Sequence, residues 1–312
     1  MSTTAPIPPP LGSRAGSTLL TALAPAVWGT TYIVTTHLLP EGHPLFAGLM
    51  RALPAGLLAL LITRTLPRGH WWWRALALGA LNIGAFFPLL FVSAQRLPGG
   101  VSATLGAIQP ILVALLAVVV LSERLSRWRV AWGVVGVVGV GLIVLGPAAA
   151  LDATGIAAGL AGASAMGLGT VLTKRWGRPP GVSSLTVAGW QLTAGGLVLL
   201  PPTLVLEGAP SRIDGGAMAG YLWLGLVGGL FAYTVWFAGI RRLPVTAIAL
   251  LGLLSPLVAA GLGALLAGET FTPLQLLGYV LALAAMLAGQ LTPHRWARTS
   301  HEPLPMEGRP TT

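Results

Sequence analysis

The chain has 312 residues, of which 54% are hydrophobic and only 8% charged, and its formal net charge is +10. Soluble proteins carry roughly 25% charged residues, so this composition cannot supply a water-facing surface, and most of the chain must be solvated by lipid. The basic residues fall in short clusters between apolar segments, not in one patch, which argues against a nucleic-acid partner. The absence of cysteine excludes a disulfide framework and thiol chemistry.

Residues 1–17, with Pro6 and Pro8 to Pro10, read as a disordered cytoplasmic tail. Ala22-Leu23-Ala24 resembles a signal-peptidase site, but hydrophobicity runs on to Leu39, so a retained first helix is expected. A hydrocarbon core of roughly 30 Å is crossed by about 20 apolar helical residues. Such stretches lie near 18–39, 45–63, 74–95, 100–121, 130–147, 154–173, 184–206, 217–240, 246–267 and 274–292. Residues 293–312 form a second tail. The expectation is an all-α membrane protein of ten transmembrane helices, with the lipid bilayer as its main partner.

Orientation follows from the basic residues. With the first tail in the cytoplasm, the inside holds Arg14, Arg64, Arg68, Arg74, Arg124, Arg127, Arg129, Lys174, Arg175, Arg178, Arg241, Arg242, Arg295, Arg298 and Arg309. Only Arg96 and Arg212 fall outside, where Glu41, Asp152, Glu207, Asp214 and Glu269 also lie. This asymmetry predicts both termini in the cytoplasm; the membrane is expected to be the plasma membrane. Trp71 to Trp73, beside Arg74, read as an interfacial belt.

Arg96-Leu97-Pro98 recurs as Arg242-Leu243-Pro244 at an offset of 146, which holds through Gly106/Gly252, Pro110/Pro256 and Glu123/Glu269. The repeat unit is five helices, 18–147 and 148–292. An odd number inverts the second copy, an architecture of secondary transporters that places substrate near the midplane.

These residues resemble the EamA-type branch of the drug/metabolite transporter superfamily. The resemblance rests on Ala26-Val27-Trp28-Gly29 with Tyr32, on Arg51, Arg96-Leu97-Pro98, Pro110 and Glu123. In the second half it rests on Gly189-Trp190-Gln191, Tyr233 with Trp236-Phe237, Leu254-Ser255-Pro256-Leu257 and Gly268-Glu269. It covers residues 18–292 and implies export or exchange of small metabolites or amino acids by alternating access, with a small-molecule substrate as partner.

Arg51 lies about seven residues inside helix 2, roughly 10 Å deep at 1.5 Å per residue. A charge within a membrane helix costs about 2.5–3.5 kcal/mol on insertion scales and usually faces a cavity or the bundle interior. It either binds a substrate carboxylate or phosphate there or snorkels to the outer headgroups. Its repeat counterpart, at an offset of 140, is Gln191. Trp28, Tyr32, Trp190, Tyr233 and Trp236 are mid-helix aromatics that either stack on an apolar substrate body or pack between helices. Asn82 and Gln109 either line the path or hydrogen-bond a neighbouring helix. Pro110 and Pro256 each remove a backbone donor and are expected to bend their helices, as hinges or as static kinks.

No Asp or Glu lies deep in a helix, His37 and His43 are interfacial, and no P-loop occurs. No metal site, cofactor, ATP drive or acid-based ion relay is therefore expected. A polytopic membrane enzyme would need an acidic metal cluster or a His/Asp pair at a membrane face. A structural membrane subunit would not need matched prolines or a buried arginine. A secondary transporter fits these features better than either.

Overall fold

The computed structural model describes residues 11–96, 105–144, 152–267 and 272–291, and every regular element among them is helical. Leu97-Pro98, Gly268-Glu269, the first ten residues and the C-terminal tail lie outside the described residues. The first helix, α1 (Leu11–Leu38), is already helical at Leu11, ahead of the expected start at residue 18.

The next elements are α2 (Pro44–Thr63), α3 (Trp71–Gly79), α4 (Phe86–Arg96), α5 (Gln109–Leu121) and α6 (Arg127–Val144). They are followed by α7 (Ala153–Trp176), α8 (Ser184–Pro202), α9 (Gly215–Leu222), α10 (Ala232–Arg242), α11 (Val245–Leu251), α12 (Leu254–Ala267) and α13 (Pro273–Gln290). A π-helical stretch, Ala80–Ala85, joins α3 to α4, and another, Trp223–Phe231, joins α9 to α10. The helix starts carry their own caps. Asp152, Ser183 and Asp214 each accept a backbone N–H of the first turn, and Thr272 with Gln275 forms a capping box.

Among the described residues, seven helices are long and apolar enough to cross a membrane, including Pro44–Thr63, Ala153–Trp176 and Gly215–Arg242. Large side chains such as Leu61, Val119, Val205 and Leu265 are turned outward and exposed. In water they would be a liability; in lipid they are the expected surface. The chain is a multi-pass membrane protein.

Close packing of small residues joins the two halves. At the crossing of α2 and α8, a Cβ on Gly56 would overlap the backbone N of Thr193. A Cβ on Gly196 would lie 2.7 Å from the Cβ of Leu53. Adding 140 to 56 and 53 gives 196 and 193, so the contact is reciprocal. The α6–α13 crossing repeats this at the offset of 146: a Cβ on Gly139 would lie 2.7 Å from the backbone N of Ala282, and a Cβ on Gly136 would lie 3.3 Å from the Cβ of Ala285. Contacts in which i meets j and j meets i belong to an isologous pairing. Lipid offers no competing hydrophobic drive, so backbone proximity carries such contacts. Gly196→Leu should therefore destabilise the protein, at about 1–3 kcal/mol for overpacking. The check is the melting temperature in detergent; an unchanged value would mean the two helices can part there.

Candidate functional site

A cavity of about 560 Å³ opens at the end of the bundle where α1 turns into α2, with the exposed Glu41 and Gly42 at its rim. It descends along α1 to Trp28, ten residues below the helix end at Leu38, or about 15 Å at 1.5 Å per residue. One wall comes from α1, α2, α10 and α12, with Trp28, Thr31, Arg51, Tyr233 and Trp236. The opposite wall comes from α4, α5 and α7, with Phe86, Gln109, Pro110, Ala163 and Met166. The lining is mostly apolar with a few polar groups, as small-molecule sites are.

Arg51 does not reach for the outer headgroups. It is 5% exposed, and its guanidinium turns into the bundle, where Nη1 donates to Thr31 Oγ1 and Nη2 to the Gly228 carbonyl, both at 3.3 Å. The guanidinium also lies 4.9 Å from the centre of the Phe87 ring, which stabilises a desolvated cation without neutralising it. Gly228 sits in the Trp223–Phe231 π-helical stretch, and its carbonyl also accepts the indole N–H of Trp28 at 2.9 Å. Trp28 in turn packs at 5.1 Å between centroids against both Tyr233 and Trp236. The result is one cation on the Phe87 ring, joined through the Gly228 carbonyl to a cluster of three further aromatic rings. Gln109 Nε2 and Thr35 Oγ1, both on cavity-lining residues, are buried without a hydrogen-bond partner among the described residues.

The prolines differ from expectation. The helix is interrupted by a turn at Ala107–Ile108, ahead of Pro110 in the first turn of α5. It is interrupted again at Gly252–Leu253, ahead of Pro256 in the first turn of α12. A proline lacks the N–H for the carbonyl four residues back and its ring clashes with it. Those carbonyls belong to Gly106 and Gly252, so the chain breaks there instead of bending. Both glycines and both prolines line the cavity. Pro110→Ala and Pro256→Ala are each expected to leave folded, inserted protein while slowing transport several-fold, of order 1 kcal/mol in barrier. Parent transport rates in both variants would reduce the matched breaks to packing.

The structure brings Trp28, Arg51, Gln109, Tyr233 and Trp236 together around the cavity, but not Asn82, Trp190 or Gln191. Tyr32 lies on α1; its side chain is outside the described set. Trp190 is near the opposite end, donating its indole N–H to the Thr65 carbonyl at 2.8 Å and packing on Trp71. At the end of α7, Lys174 Nζ donates to the carbonyls of Ile240 (2.7 Å) and Leu243 (2.9 Å), tying α7 to the end of α10. None of Trp190, Lys174, Ile240 and Leu243 is among the cavity-lining residues. Thr31 and Thr35 escaped notice in the sequence, although Trp28, Thr31 and Thr35 form a polar stripe at helical spacing.

A profile of the EamA-like transporter family matches residues 16–145 and 153–288. The chain belongs to the EamA-like transporter family. It is 45% identical over 267 residues to Protein PecM of Dickeya dadantii, spanning 86% of this chain and 90% of that one. It is 29% identical to a probable amino-acid metabolite efflux pump of Salmonella typhimurium, over 86% and 92% of the two chains. It is 30% identical to a probable terminal-alkyne amino-acid exporter of Streptantibioticus cattleyicolor, over 67% and 70%. A solved crystal structure, 20% identical, shares the fold with a TM-score of 0.73, covering 88% of this chain and 98% of its own. Like the other members of the EamA-like family, the protein is a membrane transporter.

Proposed function

We propose that this chain is a secondary transporter of the plasma membrane that exports or exchanges small carboxylate-bearing metabolites, amino acids included, by alternating access. In this reading ten helices span the bilayer as two inverted halves, 18–147 and 148–292, with both termini in the cytoplasm. The reciprocal contacts of Gly56 with Thr193 and Gly196 with Leu53 support the inversion, and the double match of the family profile supports the repeat. The end carrying Arg64, Arg124, Arg175 and Arg242 is then cytoplasmic, by the positive-inside rule, and the cavity opens outward.

The observation that carries the reading is Arg51, buried on the cavity wall beside Trp28, Tyr233 and Trp236. A planar fork of donors suits a carboxylate, and the aromatic faces suit an apolar body. Gln109 and Thr35 supply neutral hydrogen bonds to a further polar group. The substrate bridges the two walls; its binding favours closure of the rim, while the seal made by Lys174 and Trp190 parts on the other side. The efflux pump and the exporter among the relatives are named for amino-acid compounds, which favours that class here.

The test is counterflow by purified protein in liposomes against labelled amino acids and other small carboxylates. Saturable counterflow of at least one carboxylate with an apolar body is expected; no accumulation of any would reject the reading. The orientation is checked by Thr3→Cys and Ser300→Cys in this cysteine-free chain. Both should resist an impermeant thiol reagent in intact cells, and labelling of either one contradicts it.

A further inference from the structure

Behind the cavity floor lies a second polar cluster, away from the cavity lining. Asn82 Nδ2 donates to Gln191 Oε1 at 2.8 Å and lies 3.5 Å from Thr173 Oγ1. Asn82, Thr170 and Gln191 are each 1% exposed. Tyr233, a cavity residue, donates its hydroxyl to the backbone carbonyl of Asn82 at 3.3 Å. A polar cluster kept only for packing would satisfy its members. Here Gln191 Nε2 and Thr170 Oγ1 have no hydrogen-bond partner among the described residues.

The cluster mirrors the Arg51 site element by element. Gln191 stands 140 residues after Arg51, on α8 where Arg51 is on α2, and the reciprocal glycine contacts centre these helices on each other. They place Arg51 on the cavity side of the crossing and Gln191 on the sealed side. Each is met by a π-helical stretch: Gly228 of Trp223–Phe231 accepts from Arg51, and Asn82 of Ala80–Ala85 donates to Gln191. Each site also draws a threonine from the helix that begins its half: Arg51 donates to Thr31 of α1, and Asn82 lies 3.5 Å from Thr173 of α7, with the buried Thr170 three residues before it on the same helix. π-Helical turns inside α-helices are frequently functional.

We propose that Asn82, Thr170, Thr173 and Gln191 form an inner half-site, the uncharged counterpart of the Arg51 site. It takes the polar end of the transported molecule when the seal between α7 and α10 opens. This rests on the alternating-access reading above. The free Gln191 amide N–H groups and the Thr170 hydroxyl offer hydrogen bonds to a carboxylate without a compensating charge. The anionic end is therefore held at Arg51 on one side and by neutral groups on the other. The outer site discriminates by charge and the inner one does not.

The native chain has no cysteine, so Thr170→Cys, close in shape, gives a single reporter, with Thr173→Cys as a second should the first fail to fold. Right-side-out and inside-out membrane vesicles are treated with impermeant methanethiosulfonates bearing a sulfonate or a trimethylammonium group. Each rate is divided by that reagent's rate with a free thiol. Thr170→Cys is expected to react at least roughly tenfold faster from the cytoplasmic face, with no preference between the two charges. Thr35→Cys, in the outer cavity, is expected to react from the outside with a preference for the sulfonate that Arg51→Gln abolishes. If Thr35→Cys behaves so but Thr170→Cys and Thr173→Cys react from neither face, or only from the outside, the inner half-site is overturned and the transport reading stands. A sulfonate preference at Thr170→Cys overturns its neutral character. Silence at Thr35→Cys itself removes the outer site, and the inner one with it.

Discussion

Arg51→Gln lowers the affinity for carboxylate-bearing substrates by roughly ten- to more than a hundredfold, the value of one charge-assisted hydrogen bond of about 1.5–3 kcal/mol lost in a desolvated site. The guanidinium is already held by Thr31, Gly228 and the Phe87 ring, so it pays little ordering entropy when a ligand arrives. Glutamine keeps a neutral donor and mimics Gln191, hence the variant inserts and folds. Neutral substrates lose little. Arg51→Lys keeps the charge but not the planar fork, so it falls between the two. The comparison is made substrate by substrate in counterflow. Unchanged affinity in both variants would confine Arg51 to a structural tie between α2 and the Trp223–Phe231 stretch.

Lys174→Met releases the seal opposite the cavity. The last carbonyls of a helix have no partner of their own, and a cation there also meets the negative end of the helix dipole. Lys174 supplies both to α10 through Ile240 and Leu243. Methionine keeps the apolar stem and removes the charge. Loss of one such charged bond shifts the open population by about tenfold to more than a hundredfold. Leu243, 4% exposed, reports it: Leu243→Cys should react with an impermeant thiol reagent faster by that factor in the Lys174→Met background. An equal rate in both backgrounds would mean that Lys174 caps α10 without holding the seal.

The all-helical, multi-pass membrane character was legible because hydropathy is a local signal, and the breaks near Pro110 and Pro256 were visible as matched prolines. Their form was not: a proline removes a donor whether the helix bends or stops, and only the packing around Gly106 and Gly252 decides. Arg51 stood out because a charge in an apolar helix costs energy that structure must offset. Trp190 takes the packing alternative, because a mid-helix tryptophan in sequence can still reach a loop carbonyl, here that of Thr65, and a neighbouring ring, here Trp71. Asn82 stood out as an intramembrane polar residue and Gln191 as the repeat counterpart of Arg51, but residue type does not say which face of a crossing a side chain takes. The reciprocal fit of Gly56 and Gly196 was hidden in a glycine-rich sequence, where small residues at helical spacing are everywhere.

The claim that the two walls of the cavity move against each other is tested most directly by distances at the two ends of the bundle. Spin labels on Glu41→Cys with Arg96→Cys span the cavity end, and on Gly181→Cys with Arg242→Cys the sealed end; all four positions are exposed. Each pair is measured in nanodiscs with Lys174 intact and with Lys174→Met. The account predicts opposite changes, the 181–242 distance lengthening while the 41–96 distance shortens. Distances that stay fixed at both ends, or lengthen together, would contradict it.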